Sequence, residues 1–458
     1  MSLTLTMEHD SVPTTKEPTA PMDIASSQSP ISIVYHKVTT DSSDSKGTSL
    51  ISLKYLAEGA ANVVFSFHPY KAETGRSDAF EVLNHTAVGQ VLRISKGIDK
   101  ALTGTQVMKD FEETIIPIFR QKKTSHHLLD LQVVNLPAEL IEEANRLISS
   151  HTSSRGTMIP PDTAVGLLMP NMSSVPGESL TIEIKPKWLL QSPTAPEEAS
   201  YRCRTCALRA QKQAQKKNRT SPKLEDGYVC PLKFPIGNPT DIQPFMHHKI
   251  LRENERLEGN PLHPTIETRV VDAMTEYFSP EYPGYKLINC IRKLQEQHDP
   301  QGVTTRSFFA DAAENAREIL GIINLGQGPL LFTRPPPHQR STPLPQPSTS
   351  NITEEKARAE EDIKVLEELD KNLRVAMSLR DCSLFVRANY SGDVVSVEAK
   401  LVDLDLKSER KISEWERKET QLINGLYYKG LGGGQLDRDY TEDCLVAERW
   451  RAHVPRNW

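Results

Sequence analysis

The sequence has no long hydrophobic run, few cysteines and little net charge, and each shortage argues against a class of protein. No stretch approaches the roughly 18 consecutive apolar residues of a membrane-spanning helix. Six cysteines among 458 residues, irregularly spaced, do not form a disulfide framework, so a reducing compartment is expected. A net charge of −5 argues against a protein that coats nucleic acid through bulk positive charge.

What the sequence does contain is enough apolar material for a folded protein. With 37% apolar residues, a chain of this length can bury a sizeable core. The N-terminus lacks the charged and then apolar layout of a secretory signal. We therefore expect a monomer of the nucleus, the cytoplasm or both, with no membrane or nucleic-acid partner.

Two segments are rich in Ser, Thr and Pro and poor in aromatic residues. Residues 1–47 and the segment 334–352 cannot bury enough apolar surface to offset the entropy of ordering, so both are expected to be disordered. The rest of the chain divides near residue 178, between a strand-rich region (48–178) and a larger C-terminal region (179–458).

Hydrophobic patterns predict both strands and helices, and hence an α+β fold. Short apolar or alternating runs predict strands at residues 53–56, 63–67, 88–94, 166–169, 180–184, 383–386 and 395–401. Apolar residues one helical turn apart predict helices after Pro137, over 354–379 and from Ile412 to about Tyr428. The N-terminal strands predict an antiparallel sheet with a small-residue hairpin, a form typical of a nucleotide-binding lobe.

The turn of that hairpin contains Gly59, Ala61 and Asn62. Small side chains let backbone N–H groups approach phosphates. Such a string is more often an ordinary hairpin turn, and neither GxGxxG nor GxxxxGK[ST] occurs in the sequence. The turn alone therefore indicates no function.

The string EIKPK at 183–187 places three charged residues on one face of a strand end. Strand alternation directs Glu183, Lys185 and Lys187 to the same side, with a proline fixing the backbone between the lysines. One interpretation is a solvated edge strand. The other is a compact anion-binding site at the mouth of a cleft.

Residues 201–223 carry eight basic side chains and no acid, which makes a local basic patch in an acidic chain. The basic residues are Arg202, Arg204, Arg209, Lys212, Lys216, Lys217, Arg219 and Lys223. A disordered basic loop or a nuclear-import signal has this composition. A polyanion site has it too, because arginine and lysine suit phosphates.

The pair Cys203 and Cys206, with Cys230 and two histidines (247–248) downstream, raises the question of zinc. A zinc ribbon carries a second CxxC or an HxxxH, and neither is found here. We therefore expect reduced cysteines and regard zinc as unlikely.

Three aspartates in the C-terminal region come after predicted helices or strands. Asp381 follows the predicted long helix, and Asp403 and Asp405 follow a neighbouring predicted strand. Acids so placed can supply a base and metal ligands for phosphoryl transfer. A purely helix-ending role suits Asp381 poorly, because a carboxylate is unfavourable at the negative end of the helix dipole.

Together these motifs resemble those of one family. The sequence is similar to inositol-pentakisphosphate 2-kinases, in a fungal-looking form, over about residues 52–430. The motifs that carry the resemblance are EGAAN at 58–62, VLRI at 91–94, EIKPK at 183–187, CRTC at 203–206, DCS at 381–383 and LDLK at 404–407.

The resemblance implies a two-lobed, kinase-like α+β fold that uses ATP and magnesium. The N-terminal lobe, 48–178, would have an antiparallel sheet and bind nucleotide, and the larger mixed C-terminal lobe, 179–458, would hold the inositol phosphate and carry the catalytic residues. The implied reaction is phosphorylation of the 2-hydroxyl of inositol 1,3,4,5,6-pentakisphosphate by ATP, which gives inositol hexakisphosphate (phytate).

The same resemblance implies roles for individual residues. Those implied to contact ATP are Gly59, Ala61, Asn62, Arg93, Met169, Pro170 and Asn171. Those implied to bind the inositol phosphate are Lys185, Lys187, Lys212, Lys407, Lys411 and Trp415. Asp381 would be the catalytic base with Lys185 at the reaction centre, and Asp403 would bind magnesium together with ATP.

The sequence departs from the family in two places. A substrate-contacting arginine that relatives carry before the helix at 138–150 has no clear counterpart, and the zinc cluster of plant members is not recognisable. Two other functions remain open: an inositol-phosphate kinase of different positional specificity, and a non-catalytic basic adaptor for nucleic acid or phosphoinositide. A protein kinase would need GxGxxG, HRD and DFG motifs, which the sequence lacks.

Overall fold

A computed structural model describes most of the chain. The described residues are 30–37, 50–70, 78–82, 89–98, 101–151, 156–197, 200–215, 227–257, 261–324, 349–430 and 444–453. Within these ranges, no helix is both long enough and apolar enough to cross a membrane.

Seven strands of the N-terminal half form a closed barrel. They are β1 (Ile31–Lys37), β2 (Ile51–Glu58), β3 (Asn62–Pro69), β4 (Asp78–Val82), β5 (Gln90–Ser95), β6 (Gln132–Asn135) and β7 (Val165–Pro170). Around the barrel the order is β1-β4-β2-β3-β5-β7-β6. Neighbouring strands run antiparallel, except that β1 and β6 pair in parallel and close the sheet. The prediction of an antiparallel sheet is therefore right for most pairs and wrong at the closure.

The first strand also corrects the prediction for the N-terminal tail. Residues Ile31–Lys37 pair with strands on both sides, and Ile33 is buried. The prediction that 1–47 is disordered is wrong for this stretch. The segments on both sides of this strand are rich in Ser and Thr, so the composition of the whole region suggests disorder. The strand is stabilised by pairing in the sheet rather than by local propensity. Residues 1–29 and 38–49 lie outside the described part of the chain.

Helices make up most of the rest of the described chain. They are α1 (Gly104–Asp110), α2 (Ile116–Gln121), α3 (Ala138–Ser150), α4 (Arg204–Gln215), α5 (Pro239–Asn254), α6 (Pro264–Tyr277), α7 (Pro283–His298), α8 (Arg306–Asn324), α9 (Thr349–Asp381), α10 (Ile412–Asn424) and α11 (Leu445–His453). The predicted helices after Pro137, over 354–379 and from Ile412 are confirmed. Helix α9 begins at Thr349, so the predicted disorder of 334–352 is wrong for its last residues, and 334–348 lie outside the described ranges.

The barrel has its own hydrophobic core, which α3 closes on one side. Strand β2 buries alternate side chains, Ile51, Leu53 and Tyr55, inside the barrel. Helix α3 buries one face against the same core, through Leu140, Ile141, Ala144, Leu147 and Ile148. Residues three or four apart share a helix face, so this spacing predicts both the helix and its buried side.

A second sheet lies within a separate, larger hydrophobic core. It contains β8 (Ser179–Ile184), β9 (Ser383–Asn389) and β10 (Ser396–Val402), in the order β10-β9-β8, all antiparallel. Helices α5, α6 and α7, with the C-terminal part of α9, supply much of this core. Residues 111–121 also pack here, through Phe111, Ile115 and Phe119, whereas α1 lies against β6 and β7 of the barrel.

The register of this sheet brings three chain segments to one edge. In an antiparallel pair, one strand begins where its neighbour ends. Ile184, at the end of β8, pairs with Leu384 near the start of β9, and Val402, at the end of β10, pairs with Ser383. The segments that follow β8 and β10 and the segment that precedes β9 therefore meet at this edge. These segments contain the EIKPK, LDLK and DCS motifs.

Candidate active site

A strongly basic cleft opens at that edge of the three-stranded sheet. Its volume is about 730 Å³, and eleven lysine and arginine side chains line it against three carboxylates. In a chain of net charge −5, such a concentration of positive charge marks a site for a polyanion. The residues predicted to bind the inositol phosphate all line this cleft: Lys185, Lys187, Lys212, Lys407, Lys411 and Trp415.

Asp381 lies in the wall of the cleft as the last residue of α9. Each oxygen of its carboxylate faces an ammonium group from a different segment. Lys407 Nζ lies 3.0 Å from Oδ2, and Lys187 Nζ lies 3.4 Å from Oδ1. The carboxylate remains about half exposed, with 54% of its side-chain surface accessible. A group that enters the cleft can therefore reach it.

The charges of Asp381, Lys407 and Lys187 shift one another's pKa values. Burial acts to raise the pKa of Asp381, but the ammonium groups of Lys407 and then Lys187 outweigh burial and hold that pKa below its ordinary value. Burial likewise opposes the charge of Lys407, yet its carboxylate neighbours, Asp381 first, raise the pKa of Lys407. Burial lowers the pKa of Lys187, and Asp381 offsets part of that effect. Asp381 is consequently ionised at neutral pH.

Helix α9 also fixes the segment that carries Lys407. Ser378 Oγ donates to the carbonyl of Asp405 at 2.8 Å and accepts from the backbone N–H of Lys407 at 3.1 Å. Arg374 Nε donates to the carbonyl of Lys407 at 2.6 Å. Two side chains one helical turn apart on α9, Arg374 and Ser378, therefore hold the backbone of this segment.

Lys185 takes part in a small network at the opposite end of the DCS motif. Its Nζ donates to Ser383 Oγ at 2.9 Å and lies 3.2 Å from Glu183 Oε1. The Ser383 hydroxyl in turn donates to the Glu183 carboxylate. Burial acts to raise the pKa of Glu183, but the bonds from Ser383 and Lys185 outweigh it and lower that pKa. Glu183, Lys185 and Lys187 all line the cleft, as predicted, but β8 ends at Ile184, so strand alternation does not account for the positions of the two lysines.

Two of the predicted site residues have left-handed backbones. Lys187 has φ +58° and Asp403 has φ +59°, a region that side-chain-bearing residues rarely adopt. The conformation of Lys187 is held by Gln295, whose Nε2 donates to the Lys187 carbonyl at 2.8 Å. Such conformations cluster at functional sites, where surrounding structure over-determines them.

The residues predicted to bind ATP lie on adjacent strands of the barrel. Gly59 donates its N–H to the carbonyl of Asn62 at 2.8 Å and so closes the β2–β3 hairpin. The barrel order places β5, which carries Arg93, next to β3, and β7, which carries Met169, next to β5. Val91 pairs with Met169 across the β5–β7 ladder. The predicted hairpin, the strand of Arg93 and the strand of Met169 are thus neighbours in space.

A buried ion pair supports the β2–β3 hairpin. Lys96 is 2% exposed, and its Nζ lies 3.1 Å from Glu58 Oε2. The same ammonium donates to the carbonyl of Gly59 at 3.2 Å, and the Lys96 N–H donates to the carbonyl of Ala61 at 2.8 Å. Lys96 therefore contacts both Glu58, which precedes the turn, and the backbone carbonyls of Gly59 and Ala61 within it. No sequence pattern indicates this role.

Arg93 connects the barrel to the second sheet. Its Nη1 donates to Asp405 Oδ1 at 2.9 Å, and its Nη2 donates to the other carboxylate oxygen. Burial acts to lower the pKa of Arg93, but Asp405 outweighs burial and raises it. This bidentate pair places the predicted ATP contact Arg93 beside the segment that carries Asp403 and Lys407.

The connection between β7 and β8 provides a second link between the sheets. Arg387, on β9, donates through Nη2 to the carbonyls of Asn171 at 2.8 Å and Ser173 at 3.3 Å. The Asn171 side chain accepts from the Ser173 N–H at 2.9 Å, which shapes the connection as an Asx turn. Of the predicted adenine contacts, Met169 and Pro170 end β7 and Asn171 begins this connection.

Asp403 suits the magnesium that the family implies. Its carboxylate is exposed, it follows directly after β10, and it lies close enough to Arg93 and Lys407 to favour their charged forms. Carboxylate oxygens are the ligands that magnesium prefers, usually one or two of them together with phosphate oxygens. The residues present therefore fit the ion.

Several basic residues of the cleft were not assigned a role from the sequence. Helix α5 contributes Lys249 and Arg252, whose spacing of one helical turn was a detectable signal. The other unassigned basic side chains are Arg204, Arg209, Arg380 and Lys418. Of the basic patch at 201–223, the described part is 201–215, in which Arg202 is fully buried and does not line the cleft. Lys216, Lys217, Arg219 and Lys223 lie outside the described residues.

A stacked tryptophan supports the floor of the cleft. Trp188 lies between two guanidinium groups, with Arg380 Cζ 3.5 Å and Arg204 Cζ 4.2 Å from the ring centre. Each arginine is also paired with a buried carboxylate, Arg380 with Asp299 at 2.6 Å and Arg204 with Glu419 at 2.7 Å. These buried pairs fix the beginning of α4 relative to α7, α9 and α10.

Four buried cysteines meet behind the basic wall formed by α4. The sulfur atoms of Cys203, Cys206, Cys230 and Cys444 all lie within 4.8 Å of one another. This geometry overturns the reasoning against zinc, which relied on the missing second CxxC. Cys230 supplies the third sulfur, and Cys444, 214 residues further along the chain, supplies the fourth, which spacing alone does not reveal. His247 instead lies 3.7 Å from Glu267.

Comparison with known proteins agrees with this geometry. A family model described as inositol-pentakisphosphate 2-kinase matches residues 55–421. The inositol-pentakisphosphate 2-kinase of Yarrowia lipolytica (strain CLIB 122 / E 150) is 27% identical over 405 residues, which are 84% of this chain and 95% of that protein. The match to the family model covers most of the chain and contains the barrel hairpin, the EIKPK and DCS motifs and the LDLK segment. The chain therefore belongs to the inositol-pentakisphosphate 2-kinase family.

Proposed function

We propose that the basic cleft binds inositol 1,3,4,5,6-pentakisphosphate beside Asp381 and that ATP binds at the barrel hairpin. The reaction is that of the family: ATP phosphorylates the 2-hydroxyl of this substrate, which gives inositol hexakisphosphate and ADP. The observation that carries the assignment is the Asp381 carboxylate, exposed in the wall of the cleft with an ammonium group facing each oxygen.

The charge of the cleft suits a substrate with many phosphates. Each phosphate contributes about −1.5 to −2 charges near neutral pH, so a pentakisphosphate needs many cations to replace its lost hydration. The excess of basic over acidic side chains in the cleft provides them, from α4, α5, α9 and α10 and from the segments that follow β8 and β10. Lys212 on α4, Lys411 before α10 and Lys407 after β10 would each meet a phosphate. Trp415 would cover a face of the inositol ring.

The barrel and the second sheet would form the two lobes of a kinase-like fold. The hairpin residues Gly59, Ala61 and Asn62 would lie over the ATP phosphates, and Met169 and Asn171 would contact adenine. The Arg93–Asp405 pair and the bonds of Arg387 to the 171–173 connection support this arrangement, because they join the two sheets next to these residues.

In the proposed step, the 2-hydroxyl oxygen attacks the γ-phosphorus of ATP. The new O–P bond forms as the bond between the γ-phosphorus and the β–γ bridging oxygen breaks, and ADP leaves. Asp381 orients the hydroxyl and accepts its proton, which a carboxylate with a lowered pKa can do while remaining ionised beforehand. Lys185 and Lys187 neutralise charge on the transferred group. Magnesium, held by Asp403, would supply further charge neutralisation at the phosphates.

Product analysis distinguishes this reaction from its alternatives. The purified full-length chain would be incubated with γ-labelled ATP, magnesium and a panel of inositol pentakisphosphates that each lack a different phosphate. We expect label only in inositol hexakisphosphate, and only from the isomer with a free 2-hydroxyl. Consumption of another isomer would instead identify a kinase of different positional specificity. Tight binding without any transfer would favour the non-catalytic adaptor and would refute the role of Asp381.

A further inference from the structure

We propose that Cys203, Cys206, Cys230 and Cys444 bind one zinc ion, and that this site fixes the basic wall of the cleft. Zinc bound by four cysteines has zinc–sulfur distances of about 2.3 Å, and in a tetrahedron the sulfurs then lie about 3.8 Å apart. The measured separations agree: 3.7 Å between Cys203 and Cys230, and 4.0 Å between Cys230 and Cys444.

The surroundings of the sulfurs also suit thiolates bound to a metal. All four cysteines are buried, and none forms a disulfide. The backbone N–H of Cys203 points to Cys444 Sγ at 3.1 Å, and that of Cys206 points to Cys203 Sγ at 3.5 Å. Such N–H groups stabilise the negative charge that remains when four thiolates surround a divalent ion. Closed sites of four cysteines are typical of structural zinc.

Few apolar contacts lie directly around the four sulfurs. The local core contains the four cysteines and Ala447, with Tyr228, Leu232, Leu445 and Val446 packed at its margin. It is separate from the large core of the second sheet. Val229 and the Arg204–Glu419 pair also anchor two of the three segments, so a structural metal would contribute most to holding the third, which carries Cys444.

The cluster connects directly to the basic wall. Cys203 and Cys206 flank the first turn of α4, the helix that places Arg209 and Lys212 in the cleft. The hydroxyl of Tyr228 lies 3.2 Å from Cys206 Sγ, and the Arg209 guanidinium lies 3.8 Å from the centre of the Tyr228 ring. Zinc would therefore hold α4 and the 227–231 segment in the positions from which both contribute to the cleft.

The fourth ligand joins the C-terminal helix to this wall. Cys444 directly precedes α11 and is 214 residues from Cys230. A second contact holds the same helix: Lys233 Nζ lies 2.6 Å from Glu448 Oε1. Loss of the metal should thus release α11 and loosen α4, although no ligand needs to touch the substrate.

Metal analysis of the full-length protein tests the site without reference to activity. We expect inductively coupled plasma mass spectrometry of the purified protein to find one zinc per chain, and X-ray absorption to give four sulfur neighbours at about 2.3 Å. Cys444→Ser and Cys230→Ser should each lose most of the zinc. Cys290→Ser, which changes a cysteine outside the cluster, and Glu448→Gln, which breaks only the ion pair of α11, should keep it. Metal-free wild-type protein with four free thiols, iron in place of zinc, or a disulfide within the cluster would each overturn the proposal.

The coupling to the cleft is tested separately and is the part that depends on the proposed function. Cys444→Ser should raise the KM for the inositol phosphate at least tenfold and change the KM for ATP less than twofold, whereas Cys290→Ser should change neither. Unchanged KM values in a zinc-free Cys444→Ser protein would refute the coupling. If that variant does not fold, removal of zinc from the wild-type protein with a thiol-modifying reagent and a chelator gives the same comparison. An inactive wild-type protein that nevertheless contains one zinc would refute the proposed function alone.

Discussion

Lys407 Nζ lies 3.0 Å from Asp381 Oδ2, and Lys187 Nζ lies 3.4 Å from the other oxygen of the same carboxylate. The three residues come from three segments that the antiparallel register brings to one edge of the sheet. Two ammonium groups keep the carboxylate charged and also restrict its rotation. In the proposed reaction, Asp381 would therefore be held in place as a proton acceptor before any substrate enters.

The first prediction concerns the proton-accepting role of Asp381. Asp381→Asn keeps the size and polarity of the side chain but cannot accept a proton. We expect the turnover number to fall by about 10²–10⁴-fold, the usual contribution of a general base, while binding of the inositol phosphate persists. Steady-state kinetics and calorimetric binding of the substrate measure the two effects. Asp162→Asn, in an exposed turn outside the cleft, serves as the control. Near-normal turnover in Asp381→Asn would contradict the catalytic assignment.

The second prediction concerns pH. Lys407 and Lys187 lower the pKa of Asp381, so the folded protein keeps this carboxylate ionised below its ordinary pKa of 3.8. Because the folded-state pKa is depressed, the ion pairs stabilise the fold above the unfolded pKa, and this contribution is lost as the pH falls through the folded pKa. Carboxyl-detected NMR titration should place Asp381 below 3.8 in the wild type and higher in Lys407→Met. An unchanged titration in that variant would contradict the ion pair.

The third prediction concerns the substrate-binding lysines. Lys212 and Lys411 line the cleft but neither lies within ion-pair distance of Asp381 in the described structure. Lys212→Ala and Lys411→Ala should each raise the KM for the inositol phosphate about ten- to a hundred-fold, because a hydrogen bond to a charged group contributes about 1.5–3 kcal/mol. The KM for ATP should change little. Lys364→Ala, on the exposed side of α9, is the matched control. A loss of ATP affinity with normal substrate affinity would show that the two sites are assigned in reverse.

The EIKPK string shows why part of this site was predictable from sequence. Strand alternation grouped Glu183, Lys185 and Lys187 without a structure, although β8 ends at Ile184 and the two lysines reach the cleft from the segment that follows the strand. The helical spacing after Pro137 gave the buried face of α3 for the same reason, since it depends only on local geometry. The convergence of Asp381 with Lys407 depends on strand register, and the sequence contains no local record of that register.

Other features of the structure were mispredicted or missed from the sequence, each for an identifiable physical reason. Strand β1 is short and lies between Ser- and Thr-rich segments, so its composition suggested disorder although sheet pairing stabilises it. Cys444 lies 214 residues from Cys230, and no spacing rule connects such distant ligands. The Lys96–Glu58 pair joins two strands of the barrel, so only the three-dimensional arrangement reveals it.

The fourth prediction concerns Asp403 and magnesium. Asp403→Asn keeps an oxygen ligand but removes the negative charge that favours a divalent cation. We expect the magnesium concentration that gives half-maximal activity to rise at least tenfold, with little change in substrate binding measured without nucleotide. Asp393→Asn, in the β9–β10 loop away from the cleft, is the control. The same magnesium dependence in wild type and Asp403→Asn would exclude this carboxylate as a ligand.

The last prediction concerns Lys96, whose buried ammonium supports the β2–β3 hairpin through Glu58 and the carbonyl of Gly59. Lys96→Met removes the cation that lies 3.1 Å from the buried Glu58 carboxylate and so breaks this ion pair. Breaking a buried pair in this way costs about 3–5 kcal/mol of unfolding free energy, whereas replacing both partners costs much less. Urea denaturation should therefore show a large loss in Lys96→Met and substantial recovery in the double variant Lys96→Met with Glu58→Gln. Lys54→Met, on the exposed side of β2, should be nearly neutral.

The same variants separate the stability of the hairpin from its role in binding ATP. The double variant restores stability but not the bond from Lys96 Nζ to the Gly59 carbonyl, so the turn over the phosphates is less well held. Its KM for ATP should remain several-fold above that of the wild type, while its KM for the inositol phosphate is normal. If the double variant is no more stable than Lys96→Met, the pair does not act as a compensated buried ion pair. If the double variant recovers stability and also binds ATP normally, the Lys96–Gly59 bond has no part in shaping the nucleotide site.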